Sequence, residues 1–97
     1  MATTKQKIEL NFTDEDDFHF KSSLRAFIVS SSTDSYTIFN DDLSIRANGK
    51  TPKEAAENIK EQFMTLANDI FYKSQYTALS ERERKKLNII KSICDII

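Results

Sequence analysis

The chain has one histidine and one cysteine, and its acidic residues cluster. Those are the places to look for chemistry first. "DEDDFH", residues 14–19, sets Asp14, Glu15, Asp16 and Asp17 beside His19. Carboxylates and an imidazole can hold a cation, but carboxylates packed this closely with no turn glycine do not match a calcium loop. Asp41 and Asp42 form a second acidic pair. A two-metal hydrolytic site needs more carboxylates converging on it, so the pair reads as turn residues. Ser22, Ser23, Ser30, Ser31, Ser32 and Ser35 have no glycine-flanked nucleophile elbow around them. Cys94 lies among Ile90, Ile93 and Ile97, which reads as an apolar helical stripe rather than a reactive thiol. A single glycine cannot build a phosphate-cradling loop. The expectation is a protein without catalysis, metal or cofactor.

A chain of 97 residues supports one domain spanning 1–97. Its formal net charge of -1 gives no global basic field for nucleic acid. The charges are uneven, however. Residues 14–42 hold seven acidic groups (Asp14, Glu15, Asp16, Asp17, Asp34, Asp41 and Asp42) against Lys21 and Arg25. That asymmetry suits an acidic face for a basic protein partner; a solvated surface loop is the alternative. No apolar run approaches membrane-spanning length, and "MATTKQKIELNF" has no apolar signal core. A soluble, cytoplasmic protein is expected.

The elements that must position these residues are legible. "KIELNF" alternates Ile8, Leu10 and Phe12 against polar residues, a short strand. After the acidic break, "FHF" resumes that pattern. "LRAFIVSSS", "SYTIF" and "LSIRA" are three strands joined by turns at "STDS" and "NDD", an antiparallel meander. Asn48 and Gly49 are expected to supply a positive-φ reversal. Thr51 then caps a helix, Pro52 fills its first position and Glu54 completes a capping box. Ala55, Ala56, Ile59, Phe63, Leu66, Ala67 and Ile70 recur at helical period, predicting a helix over about 52–72. Lys53, Glu57, Lys60 and Glu61 are expected to face water. "YKSQYTA" reads as a connector. Ser80 and Glu83 form a second capping box, opening a helix expected over about 80–96. Its stripe of Leu87, Ile90, Ile93 and Ile97 is a candidate partner or dimer surface; packing within the chain is the alternative. The fold class is therefore α+β: a small antiparallel sheet of β-β-β-α type, with an extra N-terminal strand possible, one long covering helix, and a C-terminal helix.

Gly49, Thr51, Glu54, Ala55 and Asn58 in "GKTPKEAAENIKEQF" follow the strands "SYTIF" and "LSIRA". Over residues 24–70 this arrangement resembles the HicB-like antitoxin domain, whose third strand leads into a "G-x-T-x-x-E-A-x-x-N" helix start. The family's Pro-Asp-apolar-Pro-Gly segment between the second and third strands is replaced here by "NDDLS". A full C-terminal DNA-binding domain, common in the family, is not matched either. The resemblance implies a partial ribonuclease-H-like sheet, with the core at about 24–72, that binds and blocks a small basic RNA-cleaving toxin and commonly dimerises. Asp14, Glu15, Asp16, Asp17, Asp41 and Asp42 would form the acidic face for that partner. Two other readings stand beside it. One is a phage or mobile-element inhibitor of a host enzyme or defence complex. The other is a dimeric nucleic-acid-binding regulator, which ranks below a protein binder.

Overall fold

A computed structural model describes residues 4–96. Thr4–Leu10 (β1), Phe18–Phe20 (β2), Leu24–Ser32 (β3), Ser35–Asn40 (β4) and Ile45–Gly49 (β5) precede two helices, Pro52–Tyr76 (α1) and Glu81–Ile93 (α2). A last short strand, Cys94–Ile96 (β6), follows. β1, β3, β4 and β5 form one antiparallel sheet in that order; β2 and β6 form a two-stranded antiparallel ribbon. The α+β architecture and the N-terminal strand are both present.

Alternation decides the faces, because successive side chains of a strand point opposite ways. Leu24, Ala26, Ile38, Ile45 and Ala47 turn inward and are buried. α1 lies over β5 and, less extensively, over β4. Its own stripe of Ala55, Ile59, Phe63, Ala67 and Ile70 is buried against them. Toward β1 the cover thins: Ile8, Leu10 and Ile28 share the inner face but are only half-buried. Beyond the sheet end, Phe12, Phe18, Phe20 and Phe63 continue the core as an aromatic cluster. Phe12 and Phe20 meet edge to face with ring centroids 5.3 Å apart, a favoured aromatic geometry.

The turn off β5 departs from expectation. Gly49 does not have positive φ; among the described residues only Ser44 does, at 55°. Gly49 serves close approach instead. A Cβ on it would run into the Ala55 nitrogen and lie 2.9 Å from the Ala55 Cα. The glycine lets the first turn of α1 press on the end of β5. Thr51 Oγ1 accepts from the Glu54 N–H at 3.1 Å, as a cap should. Only this half of the expected Thr51–Glu54 capping box forms among the described residues, whereas Ser80 and Glu83, at the start of α2, make both bonds.

Both helix ends differ from the reading of the sequence. α1 runs on to Tyr76 instead of stopping near 72. The apolar period fades there, but the polar turn is still held: Lys73 Nζ meets Glu83 Oε2 at 2.7 Å, tying the end of α1 to the start of α2. α2 stops at Ile93, short of the expected end. The Ile93 carbonyl accepts from the N–H groups of Lys21 and Ser22, at 2.8 and 3.2 Å. Cys94, Asp95 and Ile96 then pair with Phe20, His19 and Phe18. Cys94 thus stands on a strand, not on a helical stripe.

An acidic face along the long helix

Asp14 works inside the molecule. Its Oδ1 accepts from the Phe20 N–H at 2.8 Å and its Oδ2 faces His19 Nδ1 at 2.9 Å. The Phe20 N–H, and then His19, hold the Asp14 carboxyl below the usual carboxylate range. Glu15 Oε1 receives Lys60 Nζ at 2.7 Å, and the same ammonium bonds the Thr13 carbonyl at 2.9 Å. Lys60 was expected to face water, yet its side chain is only 13% exposed. It folds its stem against the core and fixes the acidic loop to α1. Two of the four acidic residues in the run are therefore loop fasteners, and Asp16 and Asp17 project outward.

What Asp16 and Asp17 join is a face the sequence did not single out. A depression of about 500 Å³ is lined by Asp16, Asp17, Glu61, Met64 and Asn68, among others. A second, of about 550 Å³, lies between Asp17, Asp69, Tyr72 and Ile96. A third, of about 600 Å³, shares Glu61, Thr65 and Asp69 with its neighbours. No lysine or arginine lines any of the three. Glu61, Thr65 and Asp69 follow one another at four-residue spacing, which is one face of a helix. Tyr72 and Tyr76 extend the same end of α1, 66% and 69% exposed, with ring centroids 4.8 Å apart.

Asp41 and Asp42 lie elsewhere. They sit on the turn between β4 and β5, where Asn40 accepts from the Leu43 N–H at 2.8 Å and donates to the Arg25 carbonyl at 2.7 Å. They border a depression of about 680 Å³ together with Lys7, Glu9, Arg25 and Phe27, so their surroundings are mixed in sign. That depression opens on the outer sheet face. There Phe27 and Phe39 stack with centroids 5.6 Å apart, and Lys5 lies 4.2 Å above the Phe27 ring, a cation–π contact.

The chain matches no family model, no curated protein and no solved structure.

The C-terminal stripe is used within the chain. Leu87, Ile90 and Ile93 are 9%, 1% and 5% exposed, inside the same core as α1. They do not stand free for a partner, because the β2–β6 ribbon and α1 close over them; Ile97 lies outside the described residues. Cys94 is buried, and burial pushes its thiol up to about 11. His19 is an exposed rim residue whose partner is Asp14. Among the described residues no three His, Cys, Asp or Glu side chains gather as a metal centre would require. No helix among them is long and apolar enough to cross a membrane.

Only the loop's tertiary position separates the fastening carboxylates from the free ones. A sequence signal for Glu61 and Asp69 did exist: with Thr65 they mark one polar face of α1. It was masked because the helix also carries Lys53, Lys60 and Lys73, and the sequence does not show that Lys60 and Lys73 are turned to Glu15 and Glu83.

Proposed function

We propose that this chain is a non-catalytic binding module, a homodimer that sequesters a small basic protein on the acidic face of α1. One observation carries the reading. Asp16, Asp17, Glu61 and Asp69 line adjoining depressions that no lysine or arginine enters, with two exposed tyrosines at one end. Uncompensated carboxylates beside aromatic rings favour Lys- and Arg-rich surfaces, by charge and by cation–π contact. The resemblance of residues 24–70 to the HicB-like domain supports the same conclusion and makes a small RNA-cleaving toxin the expected partner.

The test is co-purification of the tagged chain from its native host at moderate salt, followed by mass spectrometry. A small basic protein is expected in the eluate. It should be lost when Asp16→Asn, Asp17→Asn, Glu61→Gln and Asp69→Asn are combined, and retained by Asp41→Asn with Asp42→Asn. Retention by the fourfold variant would end the reading. A large host enzyme in the eluate would instead make the chain an inhibitor of mobile-element type.

The outer sheet face supports a second reading, as a nucleic-acid-binding regulator. Lys5, Lys7, Arg25 and Arg46 are exposed there around the Phe27–Phe39 pair, against Glu9 alone on those strands. Cations around aromatic rings suit single-stranded nucleic acid. Absence of binding to a single-stranded RNA at low salt would eliminate it.

A further inference from the structure

The four-stranded sheet has two edges, β1 and β5, and α1 treats them differently. Along β5, Gln62 Oε1 accepts from the Arg46 N–H at 3.3 Å, and Asn58 Nδ2 donates to the Asn48 carbonyl at 2.7 Å. Helix side chains thus occupy outward backbone groups of that edge. β1 pairs with β3 on one side only, over seven residues. Among the described residues no side chain bonds to the backbone of its other side. An open edge of this length is a template for another strand. Beside it lie Ile8, Leu10 and Ile28, the inner-face residues that α1 leaves half-exposed. An unpaired backbone edge and an uncovered apolar margin coincide.

We infer that this edge is completed by β1 of a second copy, antiparallel across a two-fold axis at Ile8. The inference rests on the homodimer named above and specifies its interface. The side chains choose the register. A two-fold pairing keeps the two inner faces together, so each possible centre is a single residue. Centring on Gln6 sets Lys5 opposite the second copy's Lys7. Centring on Lys7 sets Lys7 opposite its own copy, and centring on Glu9 does the same for Glu9. Like charges directly opposed are destabilising. Centring on Ile8 sets Lys7 opposite Glu9 twice, Ile8 opposite Ile8, and Gln6 opposite Leu10 twice. This register has two opposite-charge pairs and no like-charge pair, with the isoleucines meeting on the half-covered inner face. The result is one continuous eight-stranded sheet. The acidic face lies on α1, over β5 and β4 at the far side of each copy, and stays open.

Sedimentation velocity on the full chain tests this. Lys7 and Glu9 are exposed, so their exchange leaves the core untouched. Lys7→Glu and Glu9→Lys should each weaken self-association by about tenfold or more, since each sets like charges opposite twice. Combining them restores opposite-charge pairs and should restore the dimer. Ile8→Cys should form an intermolecular disulfide on mild oxidation, and Gln6→Cys should not. A monomer up to about 1 mM, a regime where only dissociation constants weaker than millimolar escape detection, would overturn the proposal. So would a dimer that ignores both charge reversals, or one in which Gln6→Cys links and Ile8→Cys does not. Capture of the basic partner by these variants is a separate readout. Its loss in the fourfold acidic variant, with an unchanged dimer, speaks to the proposed function and not to this interface.

Discussion

Gly49 shows how one residue type can serve a purpose other than its commonest one. Its lack of a side chain is needed for contact, not for φ: a Cβ would meet the backbone of Glu54 and Ala55 within 2.9 Å. Backbone atoms cannot swing aside as a flexible side chain can. Gly49→Ala should therefore cost about 2 kcal/mol, the range for overpacking a tight contact, with the strain falling on the start of α1. Urea denaturation of the variant gives the figure, and a loss below about 0.5 kcal/mol, the scatter of ordinary surface substitutions, would show that the helix start gives way freely. Lys60 makes a related point. Its charge stays on the surface only at the tip, where Glu15 and the Thr13 carbonyl receive it. A polar residue on a helix is not thereby a free one.

At the scale of elements, the helices hold one another through their ends. Glu83 takes Lys73 across the connection while its other oxygen accepts from the Ser80 N–H at 3.0 Å. The Lys73 ammonium, and then the Ser80 backbone, pull the Glu83 carboxyl from the usual 4.5 down to about 2. A depressed carboxyl stabilises the fold above its unfolded pKa and loses that contribution as pH falls toward the folded one. The tie between α1 and α2 should thus be fully present above about pH 4.5 and decay toward pH 2. Denaturant midpoints should fall over that window, and Glu83→Gln should lower stability at neutral pH while flattening the decline. Equal acid sensitivity in the variant would assign the decline to other carboxylates; Asp14, also depressed, is the first to test.

At the scale of the whole molecule, the fold is a thin slab. Its Cα extents are 47 × 28 × 17 Å, enough in the shortest direction for one sheet and one helix layer. Among the described residues one sheet face and one edge are consequently left open, while the inner stripe of α2 is taken into the core. Ile90, 1% exposed, is a measure of that commitment. Ile90→Glu buries a charge and empties an apolar site, a loss of about 3 kcal/mol or more. Against a total of about 5–15 kcal/mol for a domain of this kind, the variant should unfold well below the parent's melting temperature. Circular dichroism on heating checks this. A variant that melted like the parent, and only lost dimer, would show that α2 serves an interface after all.

The local order of strands, turns and helix starts was set by the sequence itself. Alternation in "KIEL", "SYTIF" and "IRA" marks strands because side-chain period is a property of the backbone, although Asn11 and Phe12 fall beyond β1 and Leu43 and Ser44 fall in the turn before β5. Thr51-Pro52 and Ser80 mark helix starts because a cap satisfies groups within a few residues of itself. The Phe18–Phe20 strand was legible, but its partner was not. Cys94–Ile96 pairs with a segment from the other end of the chain, and so short a strand carries too little period to be told from the last turn of a helix. Tertiary structure alone decided which charges are free. Asp14 and Glu15 are indistinguishable from Asp16 and Asp17 in the sequence, and only the position of Lys60 and of the Phe20 N–H divides fasteners from face. Capping and alternation act between near neighbours and can be read along the chain. Ion pairing, burial and edge pairing depend on distances through space, and the fold must exist before they do.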